Sequence, residues 1–134
     1  PTDYSRASIC RYNDEAAMIA KAPDSQDMHL IDTTSDSLTL DWHYVVAVID
    51  YAGNAVTIYV DGVPQPLSGS PTFEAPATDD TNTANAALGS EDDACCYFFD
   101  GLIDEVRVAA TGRSGDWIAA QYASMTDNFI TYGG

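Results

Sequence analysis

Residues 42–62 constrain the fold more than any other stretch of this chain. Val56, Ile58 and Val60 alternate with Thr57 and Tyr59, the period of two expected of a strand with one face buried. Residues 44–49 form a β-branched run suited to burial on both faces. Between them lies the loop Asp50-Tyr51-Ala52-Gly53-Asn54, and Asp61-Gly62 ends the second strand as a turn. The pattern predicts a β-hairpin over 42–62.

Weaker strand signals flank the hairpin. Residues 1–15 mix polar residues with Tyr4, Ile9 and Tyr12 and have little periodicity. Strands are expected at Met18-Ile19-Ala20-Lys21, Met28-His29-Leu30-Ile31-Asp32, Leu38-Thr39-Leu40, Ala86-Ala87-Leu88-Gly89, and over Leu102, Ile103, Val106 and Val108. Residues 63–87 hold Pro64, Pro66, Pro71 and Pro76 and read as a long surface connection, with a strand near Thr72-Phe73. Phe129-Ile130-Thr131-Tyr132 suggests a last strand. Helical periodicity occurs once. Ser114 can cap, Asp116 suits the first turn, and Trp117, Ile118, Gln121, Tyr122 and Met125 share helical spacing, so a helix is expected over about 115–125.

The 134 residues suffice for one domain with its own core, and 46% are hydrophobic. No apolar run approaches the roughly 20 residues that span a bilayer. The chain begins at Pro1 without a basic, apolar leader, which reads as a removed signal peptide or a fragment. Acidic residues number 21 against 5 basic ones, a net charge of -16. Such a surface repels nucleic acid and anionic membranes. It serves as a solvation shell in salty surroundings, or it holds a divalent cation through hard oxygen ligands. Cys10, Cys95 and Cys96 include no CxxC spacing, which leaves a zinc ribbon or thioredoxin-type site unsupported. Adjacent cysteines rarely bond each other, so a bridge from Cys10 to Cys95 or Cys96 competes with three buried thiols.

Four pieces occur in order: Trp42-His43, Tyr59-Val60-Asp61-Gly62, Phe99-Asp100-Gly101-Leu102-Ile103-Asp104-Glu105-Val106, and Trp117 to Tyr122. Together they resemble the laminin-G-like, concanavalin A-like jelly-roll family over roughly residues 18–125. The resemblance implies an all-β fold, an antiparallel jelly-roll β-sandwich with one short C-terminal helix, forming a single domain over 1–134. Members of the family usually carry more strands before the segment that starts here near residue 18. A minimal domain, a fragment, or a strand supplied by a neighbouring subunit would each account for the difference.

The fold hosts lectins, adhesion modules, glucanases and structural domains, so function must be argued from residues. Glucanases of this fold place carboxylates at alternating strand positions. Asp104 and Glu105 are adjacent and point to opposite faces of a strand, and neither 102 nor 106 is acidic. They read instead as partners of backbone donors or of Arg107 or Arg113. His43 reads as a structural, hydrogen-bonded histidine, since no nucleophile elbow accompanies it. Asp61 and Asp100 read first as turn residues. Laminin-G-like domains often bind calcium at rim loops, which makes Asp79, Asp80, Glu91, Asp92 and Asp93 the candidate metal ligands. Tyr4, Tyr12, Tyr51 and Tyr97 are candidate sugar-stacking aromatics. The expectation is a secreted, extracellular, non-catalytic recognition or adhesion module for glycan or protein, with calcium as its cofactor. The alternative is a self-associating structural subunit of a filament, surface layer or viral decoration.

Overall fold

A computed structural model describes residues 7–20, 29–33, 37–50, 52–69, 87–90 and 98–127. The chain divides into two compact units, one of residues 1–80 with 112–134 and one of residues 81–111.

The first unit holds every regular element of the described residues. β1 (Ala7–Tyr12), β2 (Glu15–Ala20) and β3 (His29–Asp32) form one antiparallel sheet in that order. β4 (Val45–Asp50), β5 (Ala55–Val60) and β6 (Val63–Pro64) form a second. α1 (Gly115–Met125) follows. The β1–β2 hairpin occupies the weakly patterned N-terminal region, and β2 starts at Glu15, before the expected strand at Met18.

Register in the second sheet explains the core. Val45 faces Val60, Ala47 faces Ile58, and Ile49 faces Val56. These pairs share one face, and they pack with Ala16 and Met18 of β2. The two sheets therefore bury their apolar rows against each other, the arrangement of a β-sandwich. The other face of the hairpin carries Val46 opposite Tyr59 and Val48 opposite Thr57, all half-buried. A one-residue slip would exchange the two faces, so the buried row pins the register. Buried Thr33 is satisfied through its backbone N–H, which donates to Ala16 O, and a hydroxyl contact with Ser37 Oγ at 2.9 Å.

Turns follow local chemistry. Gly53 N–H donates to Asp50 Oδ1 at 2.8 Å in the β4–β5 loop. Asp61 and Gly62 both take positive φ, 53° and 79°, between the paired residues Val60 and Val63. That is a two-residue hairpin turn whose twist matches the strands it joins. β6 thus lies at the start of what the sequence presented as an unstructured connection. Its Pro64 is tolerated because β6 is an edge strand that pairs only with β5.

The helix matches its expected bounds. Ser114 Oγ accepts from Trp117 N–H at the N-cap, and Asp116 sits in the first turn. Ile118 is fully buried. Tyr122 stacks on Tyr44 with ring centroids 6.3 Å apart. The helix also crosses the Asp61–Gly62 turn closely: a Cβ on Gly62 would lie 3.1 Å from Ala119 Cα and 3.3 Å from Tyr122 Cβ.

Three expected strands are not strands. Leu38-Thr39-Leu40 is irregular because His43 Nε2 captures the Thr39 N–H and Asp14 O captures the Leu38 N–H. Residues 87–90 bend, with Gly89 at φ 76°. The run 102–108 has no ladder, and Glu105 at φ 53° breaks its alternation. Asp104 Oδ1 accepts the Glu105 N–H, a local bond that competes with sheet pairing. Within the second unit Phe99 N–H donates to Gly89 O. The expected strands near Thr72-Phe73 and Phe129-Ile130-Thr131-Tyr132 lie outside the described residues.

Gly62→Ala should cost about 1–3 kcal/mol, since it places a side chain at positive φ and against the helix backbone. Urea denaturation should show a lowered midpoint with an unchanged slope.

Candidate functional site

Two polar arrangements stand out in the first unit. One centres on Asp61. Its Oδ1 accepts the Tyr44 N–H at 2.9 Å, and its Oδ2 lies 2.8 Å from His43 Nδ1. His43 Nε2 in turn accepts the Thr39 N–H at 2.9 Å and lies 2.8 Å from Thr39 Oγ1. A backbone N–H can only donate, so Nε2 is the unprotonated nitrogen and Nδ1–H donates to Asp61.

This chain of hydroxyl, imidazole and carboxylate has the distances of a nucleophilic triad. Its bonding is structural. The single in-plane lone pair of Nε2 already receives a backbone N–H, which leaves it a poor acceptor for the Thr39 hydroxyl proton. The cluster ties the loop before β4 to the turn after β5, as the structural reading of His43 anticipated. Trp42 beside it is 65% exposed, and the strand itself starts two residues later, at Val45.

The second arrangement is an open cleft of about 510 Å³ lined by Val48, Ile49, Asp50, Gly112, Arg113 and Ser114. Its size falls in the range of small-ligand sites. Gly112 permits close approach to β4, since a Cβ there would lie 3.1 Å from Val48 Cγ1. Asp50 uses Oδ1 for the Gly53 N–H, and its Oδ2 has no ion-pair partner among the described residues. Ser114 accepts at Oγ from the helix and retains its hydroxyl proton as a donor. The Arg113 guanidinium lies 5.1 Å from the Trp117 ring centroid, a cation–π distance. No ion pair joins Arg113 to Asp50 or to any other described carboxylate.

Asp79, Asp80, Glu91, Asp92 and Asp93 lie outside the described residues, as do Tyr4, Tyr51 and Tyr97 and the side chain of Tyr12. Among the described residues no three acidic, histidine or cysteine side chains gather as a metal site. Glu105 pairs with Arg107 at 2.7 Å, so Arg107 and not Arg113 takes the partner role expected near 104–105. The pair is about half exposed on both sides, and contributes at most about 1 kcal/mol. Cys10 carries a free, half-buried thiol whose pKa is raised by desolvation, and Cys95 and Cys96 lie outside the described residues. The cleft was missed because its residues come from a hairpin loop and a helix cap, each explained locally. An arginine just before a capped, exposed tryptophan was the available signal.

Residues 9–119, from β1 into α1, match a laminin-G family model described as the concanavalin A-like lectin/glucanases superfamily. The chain belongs to that superfamily. The superfamily includes glycan- and protein-binding modules as well as glucanases. No helix of the described residues is long and apolar enough to cross a membrane. No curated protein or solved structure matches the chain closely enough to add a partner or an activity.

Asp61→Asn should destabilise by about 1–3 kcal/mol, because one amide position then presents N–H to an N–H donor. Nitrogen-15 NMR at neutral pH should find His43 protonated at Nδ1. A proton on Nε2 would contradict the assigned geometry.

Proposed function

We propose that this chain is an extracellular, non-catalytic recognition module of the concanavalin A-like superfamily, closed as a jelly roll, which binds glycan or protein. The observation that carries the reading is the open cleft beside β4, lined by Asp50, Arg113 and Ser114, which can accept and donate hydrogen bonds. The engagement of Asp104 with its own backbone and of Glu105 with Arg107 supports a structural role for both carboxylates. Calcium held by Asp79, Asp80, Glu91, Asp92 and Asp93 would neutralise part of the -16 charge.

A panel of immobilised glycans and extracellular matrix proteins, with calcium and then with chelator, tests this reading. Saturable binding without release of reducing sugar is expected, and chelation should weaken it. Release of reducing ends, abolished by a single carboxylate substitution, would make the chain a glucanase instead.

A second reading, a self-assembling structural subunit, is favoured by one observation. Phe98, Phe99, Leu102, Ile103, Val106 and Val108 are all exposed, Leu102 at 78% and Val108 at 97%. Concentrated apolar exposure of this kind usually marks an interaction surface. Light scattering separates the two: a monomer at high concentration favours recognition, and a large defined assembly favours the subunit.

A further inference from the structure

Resting on the recognition reading, we propose that the cleft formed by Val48, Ile49, Asp50, Gly112, Arg113 and Ser114 binds one end of a neutral glycan, with Arg113 and Asp50 clamping adjacent sugar hydroxyls. The ligand class follows from the charges. Asp50 lines the cleft, and the chain carries a net charge of -16, so polyuronates and sulfated glycans are repelled. Arg113 offsets Asp50 in the same cleft, so the lining itself carries no net charge to hold a cationic ligand. A sugar hydroxyl both donates and accepts, and it suits a carboxylate and a guanidinium held apart. Among the described residues no ion pair engages Asp50 or Arg113, and the one hydrogen bond of the Asp50 carboxylate goes to the Gly53 N–H through Oδ1. The Ser114 hydroxyl adds a donor, and Val48 supplies apolar contact for the ring's C–H face, while the Ile49 side chain packs in the core.

Arg113 is also pre-positioned. Its stacking on Trp117, itself 42% exposed, restrains a side chain that would otherwise lose much rotamer freedom on binding. Trp117 is thus a positioning residue for the clamp.

Titration calorimetry with maltotetraose, cellotetraose, mannotetraose and tetragalacturonate tests the proposal on wild type, Arg113→Met and Trp117→Leu. Thermal unfolding checks that each variant is folded. At least one neutral tetrasaccharide should bind wild type more tightly than tetragalacturonate does. Arg113→Met should weaken that binding at least about tenfold, equivalent to roughly 1.4 kcal/mol. Trp117→Leu should weaken it less, through a larger entropic penalty. Neutral binding that Arg113→Met leaves unchanged would overturn the cleft assignment while the recognition reading stands. A preference for tetragalacturonate would overturn the neutral class. Failure of all four sugars, and of the wider glycan panel, would remove the glycan reading and this inference with it.

Discussion

The carboxylate of Asp61 is the point on which the described fold depends. Both of its oxygens are used, one by the Tyr44 N–H and one by His43, and its own N–H donates to Tyr44 O. Through His43 the network reaches Thr39. The next residue, Gly62, is where α1 crosses the turn. One dipeptide therefore joins the loop before β4, the end of β5 and the helix. Half-buried hydrogen bonds to a charged group contribute about 1.5–3 kcal/mol, against at most about 1 kcal/mol for the exposed Arg11–Asp14 and Arg107–Glu105 pairs. By that comparison the Asp61 network outweighs the surface ion pairs.

The same network positions the candidate site without forming it. The stack of Tyr44 on Tyr122 and the approach of Ala119 to Gly62 set the helix against the β4–β5 hairpin. The segment that leads into the helix then runs beside the far end of β4, where Gly112 meets Val48 and Gly115 lies near the Tyr59 hydroxyl. The cleft is the space left between the hairpin loop and the helix start. Polar groups bond one another at one end of the hairpin, and at the other Asp50 and Arg113 share no ion pair with any described residue. This division of labour is why the cleft and not the histidine cluster reads as the recognition surface.

The hairpin and helix were legible in the sequence because their signals are local. Alternation at Val56, Ile58 and Val60, the Asp61-Gly62 turn, and Ser114 as a cap each correspond to what formed. Other elements depend on interactions that periodicity does not encode. β1 forms because β2 offers a paired edge, although its own pattern is weak. Leu38-Thr39-Leu40 has strand composition, yet the His43 side chain just downstream and the Asp14 carbonyl far upstream take its N–H groups. Leu102 to Val108 has strand composition too, yet Glu105 adopts a left-handed conformation that breaks it. The candidate site was less legible than the fold. Asp50 and Arg113 meet only in three dimensions, and the acidic loops proposed for calcium lie outside the described residues.

The most direct test of the central role of Asp61 is a double-mutant cycle between His43 and Asp61, read by urea unfolding of His43→Ala, Asp61→Ala and the pair. The account predicts a coupling energy above about 1 kcal/mol, because each side chain leaves the other's polar atom unpaired when removed. Additive losses, with coupling near zero, would contradict it.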